Sequence, residues 1–275
     1  MQREVVVAGH YCHDLLVTKG GERRELGGSA AYASAVLGAA AIDFAVLANV
    51  GDDFLFSERA PRARAIAGAR TTSFVDDYRG AERVQTVRAA APPIAPADVC
   101  DACAVALAVP IVGEVPAPTL QRMRELSRVL IADAQGFVRT WDANGSVSHS
   151  SPAPDVLAAL ERVDYLKVGR DEAPVLDLLR LRRVCTVLLT AGERGCTILS
   201  ATSEHHVPAF PAHEVDPTGA GDCFLAGFAW GLLRGWGPAR AALFGNFCGA
   251  LAVAHHGVPK LTLADLAAFT SATNG

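Results

Sequence analysis

The sequence predicts an α/β protein: a doubly wound, mostly parallel sheet with helices on both faces and a small antiparallel β lid. Three observations carry this. Short runs that are apolar at every position recur along the chain and alternate with helical stretches, as expected of strands buried on both faces. Repetition of strand and helix in this way builds a parallel sheet covered on both sides. Two other stretches alternate apolar and polar residues around glycine-bearing turns, the pattern of hairpins with one solvated face.

The first strand is "EVVVAGH" (4–10), and "HDLLVTKGGERREL" (13–26) follows as a hairpin turning at "KGGE". A helix is expected at 29–41 and a strand at "FAVLANVG" (44–51). The second hairpin is "TTSFVDDYRGAERVQTVRAAAPPI" (71–94), turning at "YRGAE". Strands at 104–112, 128–136, 164–169, 186–192 and 196–201 then intersperse with helices at 117–127, 154–163 and 171–183. Helices at 220–234, 238–254 and 262–271 close the chain. With no repeat, low-complexity tract or linker, residues 1–275 read as a single domain whose lid strands come from about 13–26 and 71–94. Ligands of open parallel sheets sit beyond the carboxyl ends of the strands, so the loops there are where chemistry is expected.

Composition narrows the class. A chain of 275 residues, 51% apolar and 20% charged, buries roughly 75% of its unfolded surface and needs no disulfide or metal to hold it. A net charge of −4 without a long basic run argues against nucleic acid as a partner. No run of 18 uncharged apolar residues suggests a membrane span. "MQREVVVAGH" enters a strand-like run at once, leaving no room for a signal peptide, so a cytoplasmic protein is expected. The seven cysteines read as reduced core thiols. The lone C-x-x-C at Cys100 and Cys103 lacks the second pair that zinc would require. The adjacent pairs His205–His206 and His255–His256 would point to opposite faces of a strand, against a shared metal.

The peptide "DPTGAGDCFLAGF" (216–228) carries the chemistry. Gly219, Ala220 and Gly221 lack bulky side chains and precede an apolar helical run, so a ligand can approach their N–H groups closely. Those groups are the unpaired donors of a helix amino terminus, where the dipole also favours anions. No G-x-x-x-x-G-K-[ST] occurs, which excludes a Walker-type loop. Asp222 then has a different task. Phosphoryl transfer needs a group to accept the proton of the attacking hydroxyl, and a carboxylate beside an anion hole can do so. The dipole is expected to keep Asp222 ionised at neutral pH and therefore a weak base. On spacing alone, a cap and packing role for this peptide stays open.

With these residues in view, the chain resembles the PfkB (ribokinase-like) family of carbohydrate kinases. "DPTGAGD" is similar to that family's D-T-x-G-A-G-D signature, and "LGGSAAYASAVLGAA" (26–40) with "NVGDDF" (49–54) resembles its G-G signature. "TAGERG" (190–195) is similar to its nucleotide loop, and the resemblance spans nearly the whole chain. It implies Asp222 as base and Gly219, Ala220 and Gly221 as anion hole. It places substrate on Asp14, with Gly27 and Gly28 letting hydroxyls approach the backbone. Thr190, Gly192 and Gly169 would line the nucleotide, and Asn246 would meet the adenine. Glu172, in "GRDE" (169–172) where the family has N-x-x-E, would handle Mg²⁺ through water, although Gly169 stands at the asparagine position. Pro217 replaces a usual threonine, and Tyr32 replaces a usual asparagine, against a ribose- or fructose-like substrate.

Within the family, "AGHYCHDLL", "RTTSFVDDY" and "DAQGFVR" look most similar to the plant-type myo-inositol kinases. This implies ATP-dependent phosphorylation of myo-inositol to a monophosphate, the 3-phosphate by resemblance, towards phytate. ATP and Mg²⁺ are the expected cofactors, with a monovalent cation as an optional third. A polyol offers only hydroxyls, and a carboxylate grips two neighbouring ones well. Asp14 suits that role; Asp133, Gln135 and Arg139 could add hydrogen bonds or meet phosphate. His10 and His13 could face the pocket, and Lys167 could bind phosphates or be a solvated strand-end lysine. Another sugar or nucleoside, or a catalytically silent scaffold of the same fold, remain the alternatives. Lid edges could pair two chains or leave a monomer.

Overall fold

The computed structural model describes residues 3–60, 62–80 and 83–273. In chain order, β1 (Arg3–Ala8) leads into β2 (Cys12–Thr18), β3 (Gly21–Gly27) and α1 (Ser29–Ala39). Next come β4 (Phe44–Leu47), β5 (Asn49–Gly51), β6 (Arg64–Ile66), β7 (Ser73–Asp77), β8 (Val84–Ala89) and β9 (Cys103–Ala108). α2 (Ala117–Leu126), β10 (Ser127–Asp133), α3 (Gln135–Val138), β11 (Arg139–Trp141), β12 (Val147–His149) and α4 (Pro154–Leu160) follow. β13 (Tyr165–Gly169), α5 (Leu178–Leu181), β14 (Thr186–Thr190), β15 (Cys196–Leu199) and β16 (Glu204–Val207) precede α6 (Ala220–Leu233), α7 (Pro238–Val253) and α8 (Leu263–Thr273).

The central sheet has eight strands in the order β16-β15-β14-β13-β10-β9-β1-β4. All of its pairings from β4 to β14 are parallel, and β15 and β16 add an antiparallel edge. This is the mostly parallel sheet the apolar runs predict. Its strands are buried because helices cover both faces. On one side α1, α6, α7 and α8 bury Leu37, Phe228, Phe244 and Phe269. On the other, α2 and α4 bury Leu120, Met123 and Leu160. Each such side chain removed from water stabilises the fold by about 1.5–3 kcal/mol.

Both expected hairpins form, and β2 pairs with β7 to join them into one four-stranded lid ordered β3-β2-β7-β8. The first turns at Lys19 and Gly20, inside "KGGE". In the second turn, Ala81 and Glu82 lie outside the described residues.

Several elements differ from expectation: β10 stops at Asp133, and α3, β11, β12 and β16 are additions. The strand expected at 44–51 divides at Ala48, with β5 leaving the central sheet to pair with β6. The strand expected at 104–112 stops at Ala108, two residues before Pro110, which has no N–H for the ladder. In place of a helix at 171–183 there is one 3₁₀ turn, Ala173–Val175, and then the short α5. Pro174 removes a donor and biases Ala173 away from helix, so a new start is needed. Asp177 supplies it by accepting the Arg180 N–H at 3.0 Å.

All seven cysteines are free thiols, and all but Cys100 are buried. Among the described residues, no group of three or more His, Cys, Asp or Glu side chains could hold a metal, and no helix is long and apolar enough to cross a membrane.

Candidate active site

Where the carboxyl ends of β10 and β13 meet the start of α6 and the inner face of the lid, a cavity of ≈ 230 Å³ opens. Its floor is built by the turn before α6. Asp216 shapes that turn, accepting the Thr218 N–H at 3.0 Å and the Gly257 N–H at 3.2 Å. Gly219 then adopts φ +78°, and a Cβ there would lie 2.0 Å from the Tyr32 ring. Only glycine satisfies both conditions. No side chain caps α6. Among the described residues the Ala220 N–H donates to the Pro217 carbonyl at 3.4 Å, while those of Gly219 and Gly221 have no partner and could meet a ligand.

Lys167 sits directly beneath this turn. A Cβ on Gly221 would be 3.1 Å from Lys167 Nζ, so the glycine lets the ammonium reach the first turn of α6. The lysine is buried, not solvated, and bonds both oxygens of Asp133 at 3.0 Å, with Glu172 Oε1 at 3.9 Å. Burial disfavours its charge, but Asp133 and then Glu172 outweigh that and hold its proton more tightly than usual.

Asp222 faces the same cavity. Its Oδ1 is shut off from solvent and has no hydrogen-bond partner among the described residues. Burial pushes the carboxyl up to about 7, Asp133 adds to the push, and Lys167 and Arg139 pull the other way. The expectation of a fully ionised, weak base is therefore corrected. The helix dipole is outweighed by desolvation and a neighbouring carboxylate, which leaves a base poised near neutrality.

Across the cavity, β2 presents Asp14, buried, with its Oδ1 accepting the Cys12 thiol at 3.0 Å. Burial raises Asp14 to about 7, against the pull of the Cys12 hydrogen bond and with the push of Asp76. Gly27 and Gly28 act differently from expectation. A Cβ on Gly27 would fall 1.7 Å from Asp14 Oδ2, so the space it leaves is taken by that carboxylate and not by substrate. Gly28, at φ +91°, makes room for the His10 carbonyl, 2.3 Å from its would-be Cβ.

Gln135 and Arg139 line the cavity as expected. Asp133 lines it too, but spends its oxygens on Lys167 and on the Gln135 N–H at 3.1 Å. It orients the lysine instead of reading substrate. Arg139 donates to the Ile111 carbonyl at 3.1 Å, while its Nε has no partner among the described residues. His10 and His13 are buried in their own contacts, with Thr72 at 3.0 Å and the Leu55 N–H at 3.2 Å respectively. Sequence reasoning missed Cys12, Arg83 and Gln85 as wall residues. The alternation in "ERVQTV" marked a strand there but not which face meets the cavity.

The pfkB family carbohydrate kinase pattern matches residues 67–262. This chain belongs to that family. It is similar to the Inositol 3-kinase of Zea mays, 41% identical over 281 residues covering 93% of this chain and 73% of that protein. The Inositol 3-kinase of Oryza sativa subsp. japonica is 43% identical over 277 residues, 93% and 70% of the two chains. Among solved structures, a Burkholderia thailandensis nucleoside kinase in complex with inosine has a TM-score of 0.82 at 19% identity, covering 98% of each chain. A pyrophosphate-dependent kinase in the ribokinase family, complexed with a pyrophosphate analog and myo-inositol, has a TM-score of 0.79 at 23% identity, covering 96% and 99%. These two share the fold.

In this pfkB kinase Gly219 and Gly221, expected at the phosphates, line the cavity, whereas Gly169, Thr190, Gly192 and Asn246, expected along the nucleotide, do not; they lie at the ends of β13 and β14, in the loop after β14 and on α7. Thr190 ends β14 and donates to the Val168 carbonyl at 3.4 Å. Gly192, at φ +56°, opens the loop that follows, and a Cβ there would meet nothing within 4 Å. Asn246 donates to the Val207 and Pro208 carbonyls at 3.1 and 2.8 Å, which latches α7 to the end of β16. Glu172, expected to handle Mg²⁺, accepts the Gly169 N–H at 2.6 Å and faces Lys167. Committed in this way, its carboxylate does not fit direct metal ligation.

Two outcomes follow. Gly27→Ala should displace the Asp14 carboxylate and raise the acceptor KM more than about tenfold, with nucleotide KM within about twofold, in steady-state kinetics. Asp222 holds its proton more tightly folded than unfolded. Its penalty is thus absent below about pH 4, grows as pH rises to about 7 and is constant above. Asp222→Asn should therefore be more stable than wild type by on the order of 1–3 kcal/mol at pH 8 and equal to it near pH 4, read from thermal melts.

Proposed function

We propose that this kinase transfers the terminal phosphoryl group of ATP to a hydroxyl of myo-inositol, giving the 3-phosphate, with Asp222 as general base. One observation carries the chemistry: the buried, unpartnered Oδ1 of Asp222 at the start of an uncapped helix. The substrate rests on the Inositol 3-kinase relatives and on the polar cavity. Asp14, held by Cys12, accepts hydrogen bonds from ring hydroxyls while a neighbouring hydroxyl lies against Asp222. The N–H groups of Gly219 and Gly221, with Lys167 alongside, neutralise the phosphoryl oxygens as charge develops, while that of Ala220 is taken by the Pro217 carbonyl. Asp222 takes the hydroxyl proton as the O–P bond forms. A base near pKa 7 suits that transfer better than one near 4.

ATP is the donor assigned, because Gly192 and Asn246 border one surface on which a nucleoside can lie. Gly195, in the Gly192 loop, packs on the Val207 carbonyl that also binds Asn246. Mg²⁺ would accompany ATP and spread its phosphate charge. With Glu172 bound to Gly169 and facing Lys167, the described residues offer no direct cage for it, and every proton and positioning step above belongs to the chain itself.

Asp222→Asn should lower kcat by about 10²–10⁴-fold with ATP affinity retained. Because the base must be ionised, kcat/KM for myo-inositol in wild type should fall as pH drops through about 7 and level off above it. Turnover of the variant equal to wild type would remove Asp222 from the chemistry. Higher kcat/KM on adenosine or fructose than on myo-inositol would defeat the substrate assignment.

A further inference from the structure

The lid supplies the cavity with a group that neither the base nor the anion hole accounts for. Arg83 precedes β8 and lines the cavity together with Gln85. Its Nε and Nη2 both lie 2.8 Å from Asp76 Oδ1, and Gln85 Nε2 donates to the same oxygen at 3.0 Å. Asp76 is buried, at 2% exposure, on β7. The guanidinium also stands 5.9 Å from the centroid of the Tyr78 ring. A buried carboxylate on one edge and an aromatic ring nearby restrict the fork to one direction. Nε bonds Asp76 and Nη2 pairs with the same oxygen, and among the described residues the other donors remain for a ligand. Its charge also reaches Asp14 on β2 of the same sheet and Asp216 in the turn before α6.

A hydroxyl has one hydrogen to give and lone pairs to satisfy. The carboxylates of the cavity serve only the hydrogens, so a polyol held by Asp14 and Asp222 alone would leave its oxygens unpaired in a partly dry site. A planar guanidinium fork spans two neighbouring oxygens, and whether it can do so depends on the relative configuration of their carbons. We infer that Arg83, aimed by Asp76, is a specificity-determining residue that the lid contributes to the acceptor site, donating to adjacent ring hydroxyl oxygens of a cyclic polyol. This rests on the proposed acceptor class and adds to it: the lid distinguishes epimers as well as covering the site.

Arg83→Gln should raise the KM for myo-inositol about tenfold to a hundredfold, leave the KM for ATP within about twofold, and shrink the preference for myo- over scyllo-inositol. Arg83→Lys keeps the charge but loses the fork and should recover less than half of that preference on a logarithmic scale. Asp76→Asn should shift the acceptor KM in the same direction, and in combination with Arg83→Gln should add little to it. An unchanged acceptor KM in Arg83→Gln, or equal rises in both KM values, would overturn the assignment. Wild type is assayed alongside: turnover of myo-inositol there, with the variant unaffected, overturns Arg83 alone. No turnover by wild type overturns the acceptor reading and the Arg83 assignment with it.

Discussion

A buried ammonium can satisfy only a few neighbours, and Lys167 is already engaged. It bonds both oxygens of Asp133 at 3.0 Å and has Glu172 at 3.9 Å. Three carboxylates therefore surround one cation at the foot of α6, and the one left over is Asp222. Breaking a buried pair is far more costly than leaving it whole, so Asp133 holds the lysine in place and keeps it from neutralising the base. The cation can still act on whatever occupies the turn above it, because Gly221 has no side chain to intervene. The proposed base and the proposed anion site thus rest on the same arrangement.

The lid is fixed to the sheet by a second polar cluster. The buried Glu114 carboxylate accepts the N–H groups of His10, Ile111 and Val112 at 2.8–2.9 Å. His10 leads into β2, while Ile111 lies beyond β9 on the cavity wall. The His10 ring meets Thr72, just before β7, and the same Thr72 oxygen accepts the Ala91 N–H beyond β8 at 3.0 Å. The roots of β2, β7 and β8 are thereby tied to the carboxyl end of the sheet. Asp14, near the root of β2, keeps a defined place relative to Asp222, whereas Arg83 stands at the far end of β8 and is held by Asp76 on the neighbouring strand.

Much of this was legible in the sequence, and the misses share a cause. The fold followed from apolar runs, and the tight turn before α6 followed from Gly219 and Gly221 because helix-terminus geometry is local. Lys167 was ambiguous because its burial depends on Asp133, 34 residues away. Asp222 does line the cavity, but burial raises its proton affinity above what the helix start suggested, since desolvation is a property of the packed molecule and not of the peptide. Gly27 was read as an opening for substrate when it is an opening for Asp14. Arg83 was hidden by the β2–β7 pairing, which decides the face β8 turns inward and has no signature in either hairpin alone.

The central claim is that Asp222 is a carboxylate kept from its protein neighbours and therefore basic. A site-resolved carboxyl ¹³C titration of the ligand-free enzyme, with Asp222→Asn identifying the resonance, tests it most directly. A midpoint near 7 is the predicted result. A midpoint near 4, the value of an ordinary solvated aspartate, would mean that residue 222 is compensated within the fold, and the account would fail.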